Sequence, residues 1–132
     1  MKPPFQGEWA EVCFMLRAIE HGLLVSRPLS AAPYDFITDS HALLRRVQVK
    51  SVSAPDRHQA GYRISAGFGG SSRRPYSARE IDLLAAFVIP EDAWYIIPVA
   101  AFAPSKTVRL NPHYPIRDRF ARYREAWELL IR

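Results

Sequence analysis

Two short runs decide how this chain folds: Asp35-Phe36-Ile37-Thr38 and, beginning twelve residues after Asp35, Val47-Gln48-Val49-Lys50. Side chains two apart on a strand share a face. Gln48 and Lys50 therefore face one way, and Val47 and Val49 the other. A turn centred on His41-Ala42 sets an antiparallel register that places Asp35 opposite Gln48. A carboxylate, an amide oxygen and an ammonium then converge on one patch, with Phe36 and Val47 behind it in the core.

Outward from this hairpin, the periodicity predicts a helix over residues 5–21. Phe5, Trp9, Val12, Cys13, Leu16 and Ile19 recur at three- and four-residue steps, and Gly22 ends the run. Short strands are expected at 23–27 and 61–66, with a polar loop at 53–59. Residues 67–76, with three Gly, two Ser and Arg73-Arg74, read as a mobile exposed loop. Ser77-Ala78-Arg79-Glu80 is a capping-box pattern and predicts a short helix. Apolar strands at 84–89 and 94–101 flank the turn 90–93, and 107–110 suits an edge strand. Phe120, Tyr123, Trp127, Leu130 and Ile131 predict a closing amphipathic helix over 117–131. Strands bounded by a helix at each end give a mixed α+β domain, one sheet with helices packed on it.

At 132 residues the chain suits one domain, 1–132, with a real core. No apolar run is long enough to span a membrane, and Met1-Lys2-Pro3-Pro4 is not followed by a signal-peptide core. A single cysteine, Cys13, suggests a reducing cytoplasm and a small core residue. Net charge is +5 and the isoelectric point 9.7, a balance that favours a polyanionic partner. Only Lys2, Lys50 and Lys106 are lysines; the other 15 cations are Arg. One of these few lysines sits on the motif strand.

These residues resemble the PD-(D/E)XK nuclease superfamily, with the closest likeness to group I intron-associated endonucleases and archaeal Holliday-junction resolvases. The likeness runs through Gly7-Glu8-Trp9-Ala10-Glu11, Gly22, Pro33-Tyr34-Asp35 and Gln48-Val49-Lys50. It continues into Tyr76-Ser77-Ala78-Arg79-Glu80-Ile81-Asp82, Trp94-Tyr95-Ile96-Ile97-Pro98 and Tyr123-Arg124-Glu125-Ala126-Trp127, nearly the whole chain. Tyr34 intervenes between Pro33 and Asp35, and Gln48 stands where the pattern has an acid. The intron-associated branch is similar to this Gln variant. The resemblance implies a restriction-endonuclease-like central mixed sheet flanked by helices. It also implies a metal-dependent DNA endonuclease that hydrolyses phosphodiester bonds.

Magnesium takes near-octahedral oxygen ligands, usually one or two carboxylates with water and phosphate oxygens. Asp35 supplies a carboxylate, Gln48 a neutral oxygen and Val49 its carbonyl; Mg, or Mn in its place, is the expected ion. Lys50 places positive charge where negative charge develops. Glu11 is the expected second carboxylate, partly replacing the charge lost at Gln48. Glu8, one turn earlier, either supports the site or complements the helix dipole. Asp82 suits a buttress or a cap. Alternation puts Arg46 beside Gln48 and Lys50 and turns Arg45 away, and Arg73 and Arg74 could grip phosphates. The same features also suit plainer roles: an exposed polar strand face, a first-turn acid, a solvated loop. His21, His41, His58 and His113 lack metal-ligand spacing, which argues against zinc. No Gly-x-Ser-x-Gly elbow or phosphate-binding Gly-Lys-Ser motif is present.

Three functions compete: a magnesium-dependent DNA endonuclease, a catalytically weak or inactive nuclease-like DNA-binding module, and a basic subunit for an acidic protein. A domain this small has little area for a long DNA site, so a symmetric homodimer is expected. The 94–101 strand and the closing helix are the expected contact surfaces.

Overall fold

The computed structural model describes residues 3–69 and 73–132. The extreme N-terminus and the centre of the 67–76 loop lie outside the described residues. Helix α1 (Pro3–Glu20) is followed by strands β1 (Leu24–Ser26), β2 (Phe36–Asp39), β3 (Leu44–Val52) and β4 (Tyr62–Ser65). The two-residue strands β5 (Gly67–Phe68) and β6 (Arg74–Pro75) come next. Then follow β7 (Leu83–Val88), β8 (Ala93–Pro98), a one-turn helix α2 (Val99–Phe102) and β9 (Thr107–Leu110).

Five strands form the central sheet in the order β1-β2-β3-β7-β8. Only the β3–β7 pair is parallel, so the sheet is mixed, as the resemblance implies. The hairpin register agrees with the sequence reading, since Phe36 pairs with Val47 and the Asp35 amide donates to the Val47 carbonyl at 2.9 Å. His41, in the left-handed region at φ 71°, sits in the tight turn.

Every residue of β7 is buried, because the sheet is covered on both sides. Leu83, Ala85 and Phe87 join the cluster beneath α1, with Phe36, Val47 and Trp94. Leu84, Ala86 and Val88 join the opposite cluster, which the antiparallel β4–β9 pair covers with Tyr62, Ile64, Val108 and Leu110.

Gly22 ends α1 at φ +78°. Its amide donates to the Ile19 carbonyl, and the Leu23 amide to that of Ala18, the paired bonds of a glycine cap. The inward face of α1 corrects the sequence expectation. Ala10, Phe14 and Ala18 are buried, whereas Phe5, Trp9, Val12, Leu16 and Ile19 are 63%, 38%, 56%, 55% and 62% exposed. Small residues let the helix axis approach the sheet, and Phe14 then fills the gap.

The closing helix expected over 117–131 is absent. Its place is taken by three short 3-10 turns, Pro115–Arg117, Ala121–Tyr123 and Trp127–Leu130. The cause is the outer edge of β8. Buried strand edges need partners for their N–H and C=O groups. Glu125, at φ 51°, supplies them: its amide donates to the Trp94 carbonyl at 2.7 Å, and its carboxylate accepts from the Trp94 amide at 2.8 Å. With this edge covered and its residues buried, β8 is not the free contact surface expected from the sequence.

The capping box exists without its helix. The Ser77 amide donates to Glu80 at 3.2 Å and the Ile81 amide to the Ser77 carbonyl at 3.2 Å. The chain then passes from this single turn into β7. Strand β9 pairs with β4 in a separate ribbon packed on the central sheet, rather than at its edge.

Candidate active site

Strand β2 starts at Phe36, so it covers β3 only as far as Val47. Beyond that point the edge of β3 is open. The Val49 side chain is buried, but its backbone faces this edge, and its amide donates to Asp35 Oδ2 at 2.8 Å. The Val49 carbonyl on the same edge receives a long 3.4 Å contact from Gln48 Nε2. Gln6 of α1 donates to the Ser51 hydroxyl at 3.1 Å and ties the helix across this edge.

The result is a cavity of about 410 Å³ lined by Gln6, Gly7, Ala10, Glu11, Asp35, Gln48, Val49, Lys50 and Ser51. A second cleft of about 250 Å³ shares Glu11 and Asp35 and continues over Arg27 and Tyr34. The two carboxylates therefore form the wall between two connected hollows. Glu11, Asp35, Gln48, Val49 and Lys50, the five positions singled out in the sequence, come together.

Their charges are strained. Burial raises the pKa of Asp35, opposed by the Val49 amide, Lys50 and Arg27. Burial also raises Glu11, and the neighbouring Asp35 carboxylate adds to the effect while Arg27 opposes it. Lys50 is lowered by burial and by Arg73, against the pull of Asp35. Shifts set by burial and by specific charge partners in a cleft make these residues functional-site candidates.

Among the described residues, no three His, Cys, Asp or Glu side chains gather to hold a metal. The donors here are two carboxylates, a backbone carbonyl and an amide, which fits a hard cation that completes its shell with water and phosphate.

Arg27 was not singled out in the sequence. It donates to Glu11 at 3.3 Å and lies over the Phe36 ring at 5.2 Å. Sixteen residues separate it from Glu11, and no local pattern links them. Tyr76, which burial and then Asp35 push up to about 12, also stands near the site. Glu8 is exposed on α1.

Arg46, Arg73 and Arg74 fare differently from one another. Arg46 donates to both carboxylate oxygens of Asp82, at 3.0 and 3.3 Å, and to the carbonyls of Ala78 and Arg79. Burial works against the Asp82 charge, but the Arg46 side chain and amide overcome it and hold the pKa down. Asp82 is thus the buttress that the sequence allowed. Arg74 is paired with Glu80 at 2.5 Å and stacks on Phe68. Arg73 donates to the Ser65 hydroxyl and acts on Lys50.

A family model described as PD-(D/E)XK endonuclease matches residues 1–130. The chain belongs to the PD-(D/E)XK endonuclease family. A PD-(D/E)XK endonuclease is a nuclease with a DNA substrate, and the family generally uses divalent metals. The solved structure of a bacterial homing endonuclease, I-Ssp6803I, is similar to this PD-(D/E)XK chain at 26% identity. That match covers 99% of this chain and 94% of the other, with a TM-score of 0.84. MepB is a weaker match, 14% identical over 78% of this chain and 81% of the other, with a TM-score of 0.45. The comparison with curated proteins gave no match. No helix among the described residues is long and apolar enough to cross a membrane.

Proposed function

We propose that this protein is a Mg²⁺-dependent DNA endonuclease of the homing type, with Mn²⁺ able to substitute. The observation that carries the reading is the gathering of Glu11, Asp35, Val49 and Lys50 around one cavity at the open edge of β3. Asp35, Glu11, the Val49 carbonyl and the Gln48 amide oxygen would hold the ion. When bound, it lowers the pKa of a water and stabilises charge growing on phosphorus. Lys50 orients the attacking water or donates to a phosphate oxygen, and Arg27 positions Glu11 and opposes the rise in its pKa. Arg73, Arg46 and Arg74 are the proposed phosphate contacts, in that order, because Arg46 and Arg74 are already engaged. The test is cleavage of plasmid, branched and linear duplexes in Mg²⁺ or Mn²⁺ and then in EDTA. Metal binding that stays undetectable even with DNA present would sink the reading.

A catalytically weak DNA-binding module is the second reading, favoured by the uncharged Gln48. Gln48→Glu separates the two. The added charge is expected to tighten Mn²⁺ binding by about tenfold, measured by calorimetry on the metal-free protein. Cleavage falls if the extra carboxylate repels the scissile phosphate. Unchanged affinity would place residue 48 outside the metal's reach.

We also propose that residues 1–132 act as one domain, in the cytoplasm, and as a symmetric homodimer. The outer face of α1 supports the dimer. Phe5, Trp9, Val12, Leu16 and Ile19 are spaced by four, three, four and three residues, the repeat of a helix–helix seam. They present roughly 500–600 Å² of apolar side chain, so a two-fold pairing would bury about 1,000–1,200 Å², near the lower bound for a stable interface. Val12→Glu with Leu16→Glu is expected to turn a micromolar dimer into a monomer in sedimentation equilibrium. A wild-type chain that sediments as a monomer at 100 times that concentration, roughly 7 kcal/mol short of nanomolar pairing, rules the dimer out.

A further inference from the structure

Strands β4 and β9 form a two-stranded ribbon whose faces differ in kind. Tyr62, Ile64, Val108 and Leu110 point inward and are buried. The outward face pairs Arg63 directly with Arg109, and Ser65 with Thr107. Like charges directly opposite each other weaken a strand pair, so Arg63, opposite Arg109, is a cost to the folded chain.

Arg109 is held in place, its guanidinium donating to Asp56 at 2.8 Å and to the Ala60 carbonyl at 3.3 Å. Arg63 is exposed and has no hydrogen-bond or ion-pair partner among the described residues. The strip of cations continues toward the candidate active site. Lys106 donates to the Arg73 carbonyl at 3.2 Å, Arg73 donates to Ser65, and Arg73 in turn acts on Lys50. Two further acids beside the ribbon are already engaged: Asp118 is buried and accepts from the Tyr95 hydroxyl and the Asn111 and Phe120 amides, and Glu91 accepts from the Tyr62 hydroxyl at 2.8 Å. Gly61 allows the ribbon to close, since a Cβ there would lie 2.5 Å from the Leu110 carbonyl oxygen.

We propose that the outward face of this ribbon enters the major groove of duplex DNA, where Arg63 and Arg109 read base edges, while Arg73 and Lys106 hold phosphates on the way to the site. The inference rests on the nuclease reading and names how that site meets its substrate. A major groove about 12 Å wide admits a two-stranded ribbon. Four residues at about 3.3 Å each give a ribbon of matching length. A guanidinium donates to both O6 and N7 of guanine, and hydroxyls such as those of Ser65 and Thr107 serve as donor or acceptor. Asp56 fixes the fork of Arg109 before DNA arrives, so less side-chain freedom is lost on binding.

The experiment is selection of bound duplexes from a random-sequence library in EDTA, followed by guanine N7-methylation interference on the selected duplex. Wild-type protein is expected to enrich a motif containing guanine, with methylation at that guanine blocking binding. Arg63→Ala should lose the preference at one base pair, with affinity for the selected duplex down about 10- to 100-fold. Arg63→Lys should recover part of the affinity without the base preference, because an ammonium cannot form the bidentate pair. Selection of the wild-type motif by both variants would overturn the proposal, as would enrichment of no motif by the wild type. The nuclease reading fails separately, if wild-type protein binds its selected duplex but cleaves it in neither Mg²⁺ nor Mn²⁺.

Discussion

Lys50→Ala and Asp35→Asn are each expected to reduce cleavage by at least about 10³-fold, while DNA affinity stays within about threefold. Both side chains face the cavity where phosphorus chemistry would occur, and neither lies on the cationic ribbon. Initial rates on plasmid under saturating enzyme, with binding measured in EDTA, separate the two quantities. The pKa directions add a pH test. Asp35 and Glu11 must be ionised to hold a metal, and burial raises both. Metal affinity and cleavage should therefore climb through pH values above the ordinary carboxylate range. Cleavage declines again when Lys50, lowered by burial, loses its proton.

The same shifts bear on stability. A raised carboxylate contributes stability below its unfolded pKa and loses it as pH rises through the folded value. A lowered lysine contributes above its unfolded pKa and loses it as pH falls through the folded one. At neutral pH all three groups thus work against the metal-free fold. Asp35→Asn keeps an oxygen for the Val49 amide and removes a charge, so it should stabilise the metal-free protein by about 0.5–2 kcal/mol. Lost cleavage together with a lower Tm would mean a collapsed site rather than missing chemistry.

The hairpin was legible because alternation and one tight turn fix Phe36 against Val47, and the site residues follow from that register. Other features needed tertiary information. Helix α1 is apolar on two opposite faces, and hydrophobicity favours the larger side chains of Trp9, Leu16 and Ile19. Packing distance reverses the choice, since Ala10 and Ala18 allow close approach. Residues 117–131 carry a helical period, yet the unpaired edge of β8 outweighs it at Glu125. Arg46 lies on the expected strand face, but the carboxylate that captures it belongs to Asp82, 36 residues away. The Arg27–Glu11 pair is invisible for the same reason. Local patterns report which groups share a face; they do not report which partner reaches that face from another element.

Phe14→Ala is expected to destabilise the fold by about 3–5 kcal/mol. Phe14 is fully buried and its ring meets Phe36 at 5.4 Å, Trp127 at 5.7 Å and Trp94 at 5.8 Å. Its loss leaves a cavity where α1, β2, β8 and the C-terminal turns meet, and aromatic walls of that kind collapse poorly. Leu16→Ala, two residues further along the helix, is the control. On the outer face it should cost under about 0.5 kcal/mol in dilute protein, with a further loss at higher concentration only if copies pair through that face. Urea unfolding at two protein concentrations measures both. Equal, concentration-independent losses for the two variants would mean that Leu16 is as much part of the core as Phe14. The effect also reaches the site: Glu11 sits one turn before Phe14, and a helix no longer anchored there holds its carboxylate loosely against Asp35. Phe14→Ala should therefore weaken metal binding even at temperatures where it remains folded.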